Sequence, residues 1–349
     1  ENLITSHEKT TVEEAKEISE NDSKLVNGIL RNFSKNPDDI EVQGNKIDEY
    51  AYKFSFEPWM IRLLFKQYGE QQGKKIMSGL NYVPKVSVRV NALKADYDEV
   101  FEELEKMEYE IEEGVVCPEA ICIKGGKSIE NNPLFNEGKI TVQDESAMVI
   151  APLLELEDKM KVLDLCAAPG GKTTHISEIL NNTGEVYSFD LHTSKLNLIK
   201  ENCERLGITN VKVAENDATK LNSDLVSAFD RVLIDVPCSG IGIIRKKPEI
   251  KWNKRRNDLK EIVSIQRKIM ENAWQYLKPG GIMIYSTCTL NKEENEENIE
   301  YFLEKHRDCE AKRAFIGKQD NLVYNKDGSL TIMPNEYMDG FFVAKLQKK

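Results

Sequence analysis

Two cysteines stand at matching places in this sequence: Cys238 in DVPCSG and Cys288 in YSTCT, each just beyond an apolar run that reads as a strand. A free cysteine is commonly a small buried hydrophobe. A pair at matching strand ends could instead act together, one thiol as nucleophile and the other as helper. What they would act on depends on the stretch Lys161 to Ile176, KVLDLCAAPGGKTTHI. Val162, Leu163 and Leu165 read as a buried strand, and Ala167 to Gly171 as a turn with almost no side-chain bulk. Lys172-Thr173-Thr174 then open a helix whose free N–H groups face whatever lies against the turn. A phosphate-cradling P-loop ending at Gly171-Lys172-Thr173 would need glycine at position 166, which is Cys166. Asp164 in the strand and Asp190 after the next one point to a ligand with an amine and ribose hydroxyls. That description fits S-adenosylmethionine before a dinucleotide. Facing a methyl donor, the two thiols suggest a methyl transfer that needs covalent help. Carbon 5 of a pyrimidine is such a case, because thiolate addition at carbon 6 makes carbon 5 nucleophilic. The residues alone do not say which cysteine attacks.

These groups are positioned by repeating strand and helix signals from Val142 onward. Val186 to Phe189 is expected to be a strand ending in Asp190, and Ser194 to Leu206 a helix closed by Gly207. Val211 to Val213 should end near Asp217, Arg231 to Ile234 in Asp235, and Ile282 to Tyr285 near Cys288. A long helix over Leu259 to Leu277 precedes the last of these. In an open parallel sheet the carboxyl ends of the strands form the ligand crevice, so these acidic and thiol groups should converge. Upstream, residues 46 to 140 mix signals of a small α+β domain. A helix from Pro58 carries Trp59, Met60, Leu63, Leu64 and Tyr68 on one face, Val86-Val88-Val90 alternate as a strand, and Arg89-Val90-Asn91 read as its end. Residues 11 to 35 are expected to form a helical arm, with a polar linker over 36 to 45.

At 349 residues the chain is long for a single core. The net charge of −11 argues against a general electrostatic nucleic-acid binder. One stretch runs against it. IIRKKPEIKWNKRR places Arg245, Lys246, Lys247, Lys251, Lys254, Arg255 and Arg256 around Trp252, the pattern of a phosphate-contacting face with an aromatic that can stack on a base. Seven cysteines without a CxxC pair suit reduced thiols, and four scattered histidines argue against a metal site. No apolar run has the length of a membrane span, and a cytoplasmic location is expected.

Taken together, LDLCAAPGGKTTHI, FDL, ENDAT, DVPCSGIGIIRKKPEIKW, YSTCTLNKEEN and DGFFVAKL resemble the NOL1/NOP2/Sun family of RNA cytosine-5 methyltransferases. Within that family the resemblance is strongest to the bacterial ribosomal RNA small subunit methyltransferase B subgroup, and it covers roughly residues 24 to 349. It implies a Rossmann-like, class I S-adenosylmethionine-dependent methyltransferase domain over 141–349, preceded by the small α+β domain over 46–140. Residues 1–40 would be a helical remnant of a NusB-like RNA-binding domain, with LVNGILRNF as its closing helix. The resemblance makes Cys288 the nucleophile, gives Cys238 a part in product release, and lets Asp235 hydrogen-bond the target base. It carries cofactor contacts onto Cys166, Ala167, Ala168, Pro169, Gly170, Gly171, Lys172, Asp190, Asp217 and Asp235. The implied substrate is a cytosine of 16S ribosomal RNA. Transfer RNA, another ribosomal site, or a non-catalytic assembly role are the alternatives.

Overall fold

A computed structural model describes Gly28 and residues 44–349. The helical arm expected over residues 11–35, LVNGILRNF included, lies outside the described residues apart from Gly28. The chain divides into two compact units, 1–62 and 63–349. In the first, helix α1 (Lys46–Phe54) starts at a reciprocal cap. The Asn45 side chain accepts from the Ile47 amide at 2.8 Å, and Asp48 accepts from the Asn45 amide at 2.9 Å. These bonds satisfy donors that a helix start leaves free. Helix α2 (Pro58–Gly79) is longer than its apolar face suggests and is interrupted at Gly69, whose φ of 78° departs from helical geometry.

Within the second unit, β1 (Val86–Val90), β2 (Glu110–Glu113), β3 (Ala120–Gly125) and β4 (Ile140–Val142) form an antiparallel sheet in the order β2-β3-β1-β4. With β4 the sheet runs two residues past 140. Helix α3 (Tyr97–Lys106) lays Val100 and Leu104 on Val88, Val90, Ile121 and Ile123. The other face of β1 is covered too, since Arg89 is fully buried.

The larger sheet is built from β5 (Lys161–Asp164), β6 (Glu185–Asp190), β7 (Val211–Glu215), β8 (Phe229–Asp235) and β9 (Leu277–Thr287), all parallel in the order β7-β6-β5-β8-β9. Antiparallel strands extend it beyond β9. β13 (Phe341–Lys348) pairs with β9, and β12 (Leu330–Ile332) and β10 (Cys309–Lys312) pair with different parts of β13. β11 (Leu322–Tyr324) then pairs with β12. The central parallel strands β5, β8 and β9 carry runs of buried apolar residues because both faces are covered there. Val162, Leu233, Ile284 and Val343 enter one core, while Leu163, Val232, Met283 and Phe342 enter the other. Fully burying such a side chain stabilises by about 1.5–3 kcal/mol before entropy is counted. Helices α4 (Gly171–Ile179), α5 (Thr193–Leu206), α6 (Asp258–Tyr276) and α7 (Glu296–Lys305) accompany these strands. β9 begins at Leu277 rather than Ile282, because Phe229 pairs with Leu277 while Arg231 pairs with Ile282. The intervening Lys278-Pro279-Gly280-Gly281 is thus a bulge within the strand.

Candidate active site

At the switch between β5 and α4 the chain turns through Cys166 to Gly170. Gly170 has φ 103°, and a Cβ there would lie 3.2 Å from Ile199. Only glycine takes that conformation without strain. Asp190, the last residue of β6, holds the turn from behind, its carboxylate accepting the Ala168 amide at 3.1 Å and the His192 amide at 3.0 Å. Asp164 is buried; one of its oxygens accepts from the Thr173 hydroxyl at 2.7 Å, and the other, Oδ1, has no partner. Burial pushes the Asp164 carboxyl up to about 7. The same effect raises the thiol of Cys166. Asp217 follows β7 and bonds the amide and hydroxyl of Thr219 at 3.0 and 2.6 Å. The hydroxyl and Lys220 hold its carboxyl down at about 2.

The second cluster lies at the ends of β8 and β9. Lys172, on the first turn of α4, donates to Asp235 Oδ2 at 2.6 Å, and the Ser286 hydroxyl donates to Asp235 Oδ1 at 2.7 Å. Burial opposes the charge on Lys172, yet Asp235 outweighs it and the ammonium is held above its usual range. The sulfurs of Cys238 and Cys288 are 3.2 Å apart. The hydrogen bond with Cys288, then burial, raise the Cys238 thiol well above the ordinary range, with Glu294 and Asp235 adding to the effect. Close backbone approach fixes the surrounding loops: the Gly242 amide donates to the Cys288 carbonyl at 3.0 Å, and a Cβ on Gly242 would lie 1.9 Å from the Gly340 carbonyl. Gly340 belongs to the DGFF stretch, and the following Phe341 presents its ring 5.4 Å from the Lys172 ammonium.

The basic stretch differs from expectation. Arg245 is buried, bonding Asp339 at 2.6 Å; Lys246 is paired with Asp144 and Asp339. Lys251 is also buried, donating to Asn81 at 2.7 Å, and burial lowers it to about 8. A desolvated cation must be paired or hydrogen-bonded, so Arg245 and Lys251 serve the fold; Lys246 is exposed but is held by its two ion pairs. Lys247, Arg255, Arg256 and Trp252 are exposed. Arg89, at the end of β1 as read from sequence, turns its guanidinium inward and donates to Glu178 at 2.9 and 2.7 Å, to Thr174 Oγ1 at 3.2 Å and to the Gly171 carbonyl at 3.1 Å. It ties the first sheet to the helix that leaves the turn.

Among the described residues no group of three or more His, Cys, Asp or Glu side chains is arranged to hold a metal ion, and no helix is long and apolar enough to cross a membrane. The glycine turn, the unpartnered buried oxygen of Asp164 and the carboxylates at successive strand ends fit an amine- and ribose-bearing ligand and would repel a phosphate.

A parallel sheet with this strand order, an antiparallel β13 and a glycine turn after its central strand defines an S-adenosylmethionine-dependent methyltransferase. A family model described as 16S rRNA methyltransferase RsmB/F matches residues 151–347, and one for the RsmF/B-like ferredoxin-like domain matches residues 56–130. The probable ribosomal RNA small subunit methyltransferase B of Bacillus subtilis is 35% identical over 332 residues, covering 94% of this chain and 74% of that protein. The ribosomal RNA small subunit methyltransferase B of Serratia proteamaculans is 33% identical, covering 93% of this chain and 73% of that protein. A crystal structure of a methyltransferase homologue from Pyrococcus horikoshii is similar with a TM-score of 0.77 at 27% identity, covering 88% of this chain and 100% of its own. The chain belongs to the RsmB/F family of 16S rRNA methyltransferases.

Proposed function

We propose that this chain methylates carbon 5 of a cytosine in 16S ribosomal RNA, in the cytoplasm, through a covalent bond between Cys288 and carbon 6. The observation that carries the reading is the 3.2 Å approach of two thiols at the ends of adjacent parallel strands, beside a carboxylate held by Lys172 and Ser286. The catalytic domain is taken to begin after β4, from residue 143 to 349. Cys166 to Lys172, Asp190, Asp217 and Asp235 would hold S-adenosylmethionine, which when bound supplies an electrophilic methyl group.

The chain's own residues do the rest. The target base leaves its stack to enter the crevice. Asp235, fixed from two sides, hydrogen-bonds the base and orients its ring. The Cys288 thiolate adds to carbon 6, and the electron pair so released makes carbon 5 the nucleophile that takes the methyl group. Transfer of the carbon 5 proton to solvent water then restores the double bond as the carbon–sulfur bond breaks and Cys288 leaves as the thiolate. Cys238 is raised well above the ordinary thiol range, so it stays protonated beside the leaving sulfur and can return a proton to it.

The test separates the two thiols. With cofactor and 16S RNA, Cys288→Ala should give neither methylation nor a protein–RNA band on a denaturing gel. Cys238→Ala should accumulate such a band. A band in Cys288→Ala with none in Cys238→Ala would exchange the roles, and no band in either would remove the covalent step. Mapping 5-methylcytosine in ribosomal RNA with and without the gene tests the substrate.

A further inference from the structure

Behind the two cysteines lies a carboxylate that the mechanism above does not use. Glu294 is fully buried. Its Oε1 accepts from the Ser239 hydroxyl at 2.5 Å and the Asn291 amide at 3.0 Å; its Oε2 accepts from the Ser239 backbone amide at 2.8 Å and Gln266 Nε2 at 3.0 Å. Ser239 directly follows Cys238. Its hydroxyl also lies 2.7 Å from the hydroxyl of Thr289, which directly follows Cys288. Gln266 donates to the Pro237 carbonyl at 3.0 Å, on the other side of Cys238. On the Cys288 side, Thr287 donates to Asn295 at 2.6 Å, and Asn295 donates to the Thr289 carbonyl at 2.9 Å. The residues before and after both cysteines are therefore held in one largely buried network, and Glu294, with two bonds to Ser239, binds the Cys238 loop alongside Thr289 and Gln266.

A buried carboxyl group is costly unless its lone pairs are filled, and here four donors fill them. Such a satisfied network has one low-energy arrangement. We propose that Glu294 is a positioning residue of the methyl-transfer site, setting the distance between the Cys238 and Cys288 sulfurs through Ser239 and Thr289. This rests on the reading that both thiols act in the reaction, so its test includes a measurement that needs no RNA.

Phenylarsine oxide is the probe. Its arsenic forms two arsenic–sulfur bonds with a close thiol pair, while its oxygen leaves as water with both thiol protons. Wild type should hold one equivalent in the presence of excess mercaptoethanol, read by intact mass, and Cys238→Ala or Cys288→Ala should not. Glu294→Gln keeps the side-chain shape. Its NH2, turned away from the Ser239 amide that must still be accepted, would face the Asn291 donor. That variant and Ser239→Ala, which deletes the hydroxyl shared with Thr289, should each retain the arsenical at least tenfold less well. Turnover should fall by about 100-fold in Glu294→Gln, the order expected from a misplacement of about 1 Å. The Kd for S-adenosylmethionine should stay within about twofold, a split that general loosening of the fold would not give.

Arsenical retention equal to wild type in both folded variants would overturn the proposal, as would a parallel loss of cofactor affinity and turnover. Reduced retention in the variants, in a protein that methylates no RNA, would instead refute the RNA reading and leave the positioning role standing.

Discussion

Replacing Arg89 by Met removes the guanidinium but keeps most of the buried stem volume. What it leaves behind sets the magnitude. Glu178, whose side chain is 5% exposed, loses both of its bonds to Arg89, at 2.7 and 2.9 Å, and becomes a buried charge without its cation. Breaking a buried pair from one side costs about 3–5 kcal/mol. That is a large share of the roughly 5–15 kcal/mol that holds a domain folded. The double variant Arg89→Met/Glu178→Met removes the stranded charge as well and should recover most of the loss, since apolar replacement of both partners is often near neutral. Urea unfolding followed by circular dichroism at constant pH measures both. Calorimetry adds a second readout. The 3.1 Å bond from Arg89 to the Gly171 carbonyl, at the first residue of α4, is absent from both variants. Affinity for S-adenosylmethionine should therefore stay reduced, by about 1 kcal/mol, even where stability has returned. A single variant that loses less than about 1 kcal/mol, below the range for a broken buried pair, would refute this account. So would a double variant no more stable than the single one.

Two further outcomes follow from the charges at the site and its rim. Burial raises the Asp164 carboxyl from 3.8 to about 7, so the stability it contributes is complete below its unfolded value and is lost as the pH climbs through the folded one. Unfolding free energy of the cofactor-free protein should thus fall between about pH 4 and 7, and Asp164→Asn should flatten that slope; parallel urea midpoints in the two proteins across that range would contradict it. Reversing Lys247, Lys254 and Arg255 to Glu should weaken RNA binding and flatten the dependence of log affinity on log salt by up to about 0.7–0.9 per lost phosphate contact, with cofactor affinity unchanged. An unaltered slope would leave these side chains as ordinary solvated surface.

The parallel core was legible because a strand buried on both faces must be apolar at every position, and Val162, Leu163, Val232, Leu233 and Ile284 carry that signature without knowledge of their neighbours. Strand ends were less legible. The start of β9 was hidden because Pro279-Gly280-Gly281 ordinarily separates elements, whereas here the four residues from Lys278 to Gly281 bulge out opposite Phe229 to Arg231. β2 was missed altogether, since its sequence Glu-Ile-Glu-Glu carries the charge of a surface loop and becomes a strand only by pairing with β3.

Charge misled in both directions at the site, for one physical reason. Arg245 and Lys251 sit in a run read as a phosphate-contacting face, and Glu294 sits in Asn-Lys-Glu-Glu-Asn, whose charge marks no buried partner. Whether such a group meets water or a partner is decided by chain far away in sequence: Asp339 is 94 residues from Arg245, and Ser239 is 55 residues from Glu294. Local composition holds no record of that pairing. A small signal does exist in the neighbours. The polar residues Ser286, Thr287, Thr289, Asn291 and Asn295 crowd around a strand end whose apolar side has already entered the core, and all five are buried. Buried polar groups must be hydrogen-bonded, and so many in one loop require acceptors and donors supplied within it. A charged residue spaced among them is therefore more economically read as their shared acceptor than as a solvent-facing side chain, which is the reading that the four bonds to Glu294 satisfy.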